Sequence, residues 1–198
     1  MSAATEAKDF AFTEENLIRA KQLIGRYPEG RQASAVLPLL DLAQRQNDNW
    51  ASDAVLRYVA DMLDMPYIRV VEVASFYTMI NLAPVGRHLL QLCRTTPCWL
   101  RGADDLRQVI KDKLGIAHGE TTEDGKFTLM EVECLGGCVN APIVQVNDDF
   151  YEDLDAASLG GVLDALAQGE KPAEGSARGR QMSAPETGQK TLLNGEAS

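Results

Sequence analysis

The sequence has no run approaching the roughly 18 consecutive apolar residues of a membrane span, so a transmembrane helix is not expected. It is poor in positive charge. Nineteen Lys and Arg face 29 Asp and Glu among 198 residues, a formal net charge of -10. Such a surface is repelled by phosphate backbones and anionic lipid, so neither nucleic acid nor an anionic membrane is an expected partner. Residues 1–9 lack an apolar stretch and already carry Glu6 and Asp9, and no arginine precedes Arg19. Neither a secretory signal nor a transit peptide is therefore expected, and the expected setting is the bacterial cytoplasm. No G-x-G-x-x-G run is present, so the sequence offers no dinucleotide-binding turn. Only two histidines occur, and His88 and His118 are spaced unlike any ligand pair with the cysteines. A Rieske-type centre needs two histidines on one iron, so both are read as structural.

The chain has only four cysteines, and they fall into two short pairs. Cys93 and Cys98 enclose four residues, and Cys134 and Cys138 enclose three. Each pair follows a strand-like run, His88 to Leu92 and Phe127 to Val132, so two loops at strand ends can face one another. Gly136 and Gly137 open backbone conformations closed to other residues and let amide N–H groups approach a bound group. A disulfide framework belongs to short secreted chains, which the N-terminus does not suggest. A redox dithiol needs C-x-x-C, which is absent. A C-x4-C opening is that of plant-type 2Fe-2S ferredoxins, although the C-x3-C second pair departs from their pattern. Zinc tolerates varied loops, so spacing alone favours a cluster and leaves zinc open.

Around the cysteines, 45% hydrophobic residues can supply a core. Residues 1–12 read as a loose arm. Residues 13–83 read as a helical bundle of four short helices. Thr13 caps the first ahead of Glu14 and Glu15, a second runs from about Gln32 to Gln46 with Pro38 in its first turn or at a kink, Ser52 or Asp53 caps the third, and Pro66 opens the fourth. The third and fourth, joined by Leu63 to Pro66, resemble a helix-turn-helix, which raises an iron-sulfur regulatory DNA-binding protein as an alternative. Residues 50–81, however, carry four acids against Arg57 and Arg69, with no basic recognition face.

Residues 84–167 change texture. The pattern becomes strand, cysteine loop, helix (Asp104 to Leu114), strand, cysteine loop, strand (Ile143 to Val146), a turn at Asn147 and Asp148, a short strand at Phe150 and Tyr151, and a helix (Ala156 to Ala167). Strands mixed with helices imply a small α/β layer, the last two strands forming an antiparallel hairpin. The class is therefore α+β overall. Trp50, Trp99 and Tyr151 are expected to pack or to meet a partner. Residues 168–198 read as an extended tail, balanced in charge and with few apolar anchors beyond Met182, Leu192 and Leu193. Such a tail is expected to order on a partner, with Arg178 and Arg180 supplying directional bonds.

The run from Glu131 through Cys134, Leu135, Gly136, Gly137, Cys138, Val139, Asn140 and Ala141 to Pro142, followed by Val146 to Asp149 and Tyr151 to Leu154, carries a resemblance. With Ser75 to Thr78, Gly119 to Thr122 and Gly179 to Gln181, it is similar to the thioredoxin-like 2Fe-2S subunit family of respiratory NADH:quinone oxidoreductase, complex I, and covers nearly the whole chain. The resemblance implies a four-helix N-terminal domain, a thioredoxin-like 2Fe-2S ferredoxin domain with a cis Ala141–Pro142 bond, and one 2Fe-2S cluster on Cys93, Cys98, Cys134 and Cys138. It implies a cluster beside the main electron path, with FMN and NADH on a partner subunit that supplies one electron at a time. The chain is then a subunit of an oxidoreductase, peripheral on the cytoplasmic side of the inner membrane, and does not oxidise NADH alone. Related subunits serve NAD-linked hydrogenases and formate dehydrogenases, the alternative within the same chemistry.

Overall fold

A computed structural model describes residues 9–185. The chain divides into two compact units, one ending at Val85 and the other beginning at Gly86.

The first unit contains four helices: α1 (Glu14–Ile24), α2 (Val36–Gln46), α3 (Asp53–Met62) and α4 (Tyr67–Phe76). Thr13 caps α1, its side chain accepting from the Asn16 N–H, and Ser52 caps α3 by accepting from the Val55 N–H. Each side chain satisfies an amide that the helix geometry leaves without a partner. The second helix divides, with a 3-10 turn at Gln32–Ala35 preceding α2. Pro38 thus falls in the first turn of α2, where its missing N–H costs no helical bond. Pro66 lies one position before α4 rather than inside it. Leu39, Leu40, Val55, Val59 and Val70 are fully buried in the shared core.

The loose arm needs correction over its last residues. Phe12 is buried in this core, Phe10 and Phe12 each meet the Tyr58 ring edge-on with centroids 5.3 Å apart, and Gln46 Nε2 donates to the Ala11 carbonyl. Two aromatic rings supply enough apolar area to dock a segment with no regular structure of its own. Residues 1–8 of the arm lie outside the described residues. On α3 and α4 the arginines are paired, Arg57 with Asp53 and Arg69 with Glu72, and α4 exposes Ile68 and Phe76.

The second unit is built on five strands, β1 (His88–Cys93), β2 (Phe127–Val132), β3 (Val144–Val146), β4 (Asp149–Glu152) and β5 (Gly175–Ser176), in one sheet of order β2-β1-β3-β4-β5. Strand β1 runs parallel to β2 and antiparallel to β3, and β3 pairs antiparallel with β4. The crossover from β1 to β2 contains α5 (Thr96–Leu100) and α6 (Ala103–Leu114), and α7 (Ala156–Ala167) follows β4. Glycines in the left-handed region flank α6, Gly102 with φ 103° and Gly115 with φ 70°, conformations that cost other residues more. A capping box closes the start of α7, where Asp155 and Ser158 each satisfy the other's backbone N–H. Leu90, Leu92, Leu106, Ile110, Leu129, Leu159 and Leu163 form the core between sheet and helices, and truncating such a leucine to alanine costs about 2–5 kcal/mol. The Ala141–Pro142 bond is cis, as the resemblance implied.

Two elements depart from the expectation for this unit. The first cysteine loop contains a five-residue helix, α5, which Pro97 near its start made harder to read than a turn. The second departure is in the tail. Gly175–Ser176 forms β5, which extends the sheet in parallel with β4, and Arg180 bonds to Asp153 of the same unit. Open β4 amides and carbonyls and one buried carboxylate hold the described part of the tail where apolar anchors are few. Residues 186–198, including Leu192 and Leu193, lie outside the described residues.

Candidate functional site

Parallel pairing of β1 with β2 decides where the cysteines go. Cys93 is the last residue of β1 and pairs in register with Val132, the last of β2, so both cysteine loops leave the sheet at the same end. Cys93 and Cys98 are buried, whereas Cys134 and Cys138 are exposed. The Sγ atoms of Cys134 and Cys138 are 3.3 Å apart. Cys98 interacts with both Cys93 and Cys138, and Cys134 with Cys93, so all four thiols share one neighbourhood.

Protein donors surround the sulfurs. The Gly136 N–H donates to Cys134 Sγ at 3.3 Å, which its φ of 88° makes possible. The Leu135 amide from the second loop reaches Cys93, and the Ile143 amide reaches Cys98. Thr95 Oγ1 lies 3.3 Å from Cys93 Sγ and also interacts with Cys134, so one hydroxyl joins the two loops. Titration follows these contacts. Burial pushes Cys98 up to about 12, reinforced by Cys93. Burial also opposes ionisation of Cys93, yet the Thr95 hydroxyl and the Thr95 and Leu135 amides outweigh it and lower its pKa. The Gly136 amide and then Cys138 hold Cys134 low, and Cys138 is raised in turn by Cys134.

Among the described residues no three His, Cys, Asp or Glu side chains are gathered closely enough to hold a metal ion as they stand. A binuclear cluster takes two thiolates at each iron, so two cysteine pairs within one donor-lined neighbourhood fit it. Metal binding would also deprotonate Cys98 despite its burial.

Arg94 ties the first loop to its surroundings, with Nη1 2.7 Å from Glu131 at the end of β2 and Nη2 2.9 Å from Asp104 on α6. The histidines stand apart from this chemistry. His88 starts β1, about 16 Å along the strand from Cys93, and its ring lies 5.2 Å from that of Phe127. His118 Nδ1 accepts from the Glu131 N–H. Tyr151 is buried in the core, while Trp99 is half exposed and donates through Nε1 to Asp104. Sequence reading missed Thr95, Arg94 and the Leu135 and Ile143 amides. A hydroxyl two residues after Cys93 was the one legible signal, since backbone donors leave no trace in residue identity.

A family described as thioredoxin-like 2Fe-2S ferredoxin matches residues 20–167. An NADH-quinone oxidoreductase subunit of Rickettsia typhi (strain ATCC VR-144 / Wilmington) is 56% identical over 159 residues, 80% of this chain and 94% of that protein. The mitochondrial NADH dehydrogenase (ubiquinone) flavoprotein 2 of Dictyostelium discoideum is 46% identical over 188 residues, 95% of this chain and 76% of that protein. A solved NAD+-reducing nickel-iron hydrogenase in the air-oxidized state shares the fold with a TM-score of 0.58 at 20% identity, covering 66% of this chain. This chain spans only 23% of that hydrogenase chain. Among the described residues no helix is long and apolar enough to cross a membrane.

Proposed function

The chain belongs to the thioredoxin-like 2Fe-2S ferredoxin family, and on that premise we propose that it is the electron-transfer subunit of an NADH:quinone oxidoreductase, complex I. In this reading Cys93, Cys98, Cys134 and Cys138 hold one 2Fe-2S cluster. The observation that carries the reading is the shared end of β1 and β2, where both cysteine loops emerge, so that Cys98 interacts with Cys138 and Cys134 with Cys93. When bound, such a cluster exchanges one electron at a time, whereas NADH yields two as hydride. A flavin must divide them, and this sequence has no nucleotide fingerprint, so FMN and NADH belong to a partner subunit.

The chain's own residues perform the remaining tasks. Burial of Cys93 and Cys98 keeps water from one side of the site, and exposure of Cys134 and Cys138 leaves the other side open to an electron donor. Thr95 and the Leu135, Gly136 and Ile143 amides point hydrogen-bond donors at the sulfurs and favour negative charge there. Four N-terminal helices form a bundle domain that serves assembly rather than DNA binding, since the arginines of α3 and α4 are paired with acids of the same helices and α4 presents apolar side chains. The place of action is the cytoplasmic side of the bacterial inner membrane, with the rest of the peripheral arm reached through the flavin-bearing partner. Identity of 56% to the Rickettsia typhi protein favours this over the related hydrogenase and formate dehydrogenase subunits.

Purified protein reconstituted with iron and sulfide tests the reading by absorption and EPR before and after dithionite, followed by co-purification with the flavin-bearing subunit. A 2Fe-2S EPR signal and a stable pair are expected. A colourless protein whose metal is one tetrahedral zinc would overturn it.

A further inference from the structure

The similarity of residues 20–167 to the family stops short of a C-terminal segment that touches the second cysteine loop. Cys138 opens a 3-10 turn, Cys138–Asn140, whose last two residues are gripped from the C-terminal side of the chain. Arg180 Nη2 donates to the Val139 carbonyl at 2.8 Å and lies 2.5 Å from Asn140 Oδ1. The same guanidinium is anchored on Asp153, with Nε 2.8 Å from Oδ2 and Nη2 2.8 Å from Oδ1. Both side chains of this pair are nearly buried, at 10% and 5% exposure.

Further bonds from the C-terminal segment and β4 close the arrangement. Ser176 Oγ donates to Asp153 Oδ2 at 2.6 Å, Asn140 Nδ2 donates to the Met182 carbonyl at 2.8 Å and to Glu152 Oε2 at 2.5 Å, and the Asp153 N–H donates to the Asn140 carbonyl at 2.7 Å. Asp153 itself sits in the left-handed region with φ 52°, a conformation aspartate tolerates better than most residues. Val139 is 67% exposed, so packing of its side chain does little to hold the turn. Without the guanidinium, the Val139 carbonyl and Asn140 Oδ1 lose this donor and the turn carrying Cys138 is freer to rotate.

We propose that Arg180 is a positioning residue for the cysteine site: its forked contact with Asp153, Val139 and Asn140 fixes the turn that presents Cys138, so the C-terminal segment completes the cluster-binding loop. This rests on the reading of the four cysteines as cluster ligands. Arginine suits the task because its planar fork reaches the carboxylate and the loop together, which a lysine ammonium does not. Contacts of this kind behind a metal ligand typically change metal retention about 10–100-fold when removed.

The test uses full-length protein carrying its cluster and compares wild type with Arg180→Lys, Arg180→Met and the double variant Arg180→Met with Asp153→Asn. The double variant strands no buried charge and keeps at position 153 a residue that tolerates the left-handed region, so it folds even where the single one does not. Leu163→Ala, a core truncation on α7 that touches none of these bonds, serves as a control for lost stability alone. Three readouts are taken: EPR g-values of the reduced protein, the rate of cluster loss to a chelator, and thermal unfolding. Changed g-values and cluster loss at least about tenfold faster are expected in Arg180→Met and in the double variant, with Arg180→Lys intermediate and the control unchanged. Unchanged g-values and cluster retention in the double variant would overturn the proposal and reduce Arg180 to a fastener of the tail. A wild-type chain that takes up no cluster would instead overturn the ligand reading beneath it.

Discussion

Gly137 and Ile143 occupy each other's space: a Cβ atom built on Gly137 overlaps Ile143 Cδ1. Ile143 is buried in the core, and its amide faces Cys98, so the glycine sets how closely the second cysteine loop lies against the sheet beneath the first. Gly137→Ala should cost about 1–3 kcal/mol through overpacking. Ile143→Val removes the Cδ1 atom in the way, so the double variant should recover part of that loss. Denaturant unfolding of the four proteins checks this, and strictly additive effects would show that the two residues do not collide.

Each cysteine should prove indispensable to the cluster. Cys134→Ser is expected to lose the EPR signal or shift it strongly, because the serine oxygen is a poorer iron ligand than a thiolate. An unchanged spectrum would remove Cys134 from the site.

Thr95 Oγ1 lies 3.3 Å from Cys93 Sγ. A hydrogen bond to a ligand sulfur stabilises the more negative, reduced state, so Thr95→Val should lower the cluster's reduction potential. One neutral hydrogen bond of about 0.5–1.5 kcal/mol corresponds to about 20–65 mV for a one-electron couple. Potentiometric titration followed by EPR measures the shift, and a potential equal to or above that of wild type would contradict the assigned direction.

Asp153 gives the acid response of the C-terminal clasp. Burial opposes its ionisation, but Arg180 and Ser176 outweigh burial and hold its carboxyl below the ordinary value of 3.8. A depressed folded-state pKa contributes stability that is fully present above 3.8 and is lost as the pH falls through the lower folded value. Asp153→Asn should therefore cost about 3–5 kcal/mol near neutral pH by leaving Arg180 buried without its counter-charge. The difference in Tm between wild type and variant should narrow below pH 3.8. A gap that stayed constant down to strongly acidic pH would assign the stability to packing instead.

The isolated chain, free of flavin, should show no appreciable NADH–ferricyanide activity. It has no dinucleotide fingerprint and no group able to accept a hydride. Turnover above the buffer blank in flavin-free preparations would place a nucleotide site on this chain.

Much of this protein is determined locally and is legible in its sequence. Thr13 and Ser52 announce their helices because capping is a matter of neighbouring residues, and β2 and α7 run from Phe127 to Val132 and from Ala156 to Ala167 as periodicity and turn chemistry dictate. The cysteine spacing named the chemistry but left zinc open, since spacing limits which loops form and says little about where they meet. Their meeting depends on β1 pairing in parallel with β2 across a 33-residue connection, a tertiary choice. Likewise α5 was hidden by its brevity, and the docking of Phe10 and Phe12 on Tyr58 by the absence of any periodic signal in so short an arm. Arg180 shows the limit most clearly. Composition marked its segment as unable to fold alone, and an anchor on a partner followed naturally. Only the three-dimensional arrangement places a buried carboxylate at Asp153, 27 residues earlier, where the guanidinium is held by the chain's own second unit. The sequence by itself determined most of the helices and strands and the pairing of the cysteines in two short loops, whereas the tertiary structure decided which ends of the strands meet and which distant residues touch the cysteine loops, because those depend on contacts between residues far apart in the chain.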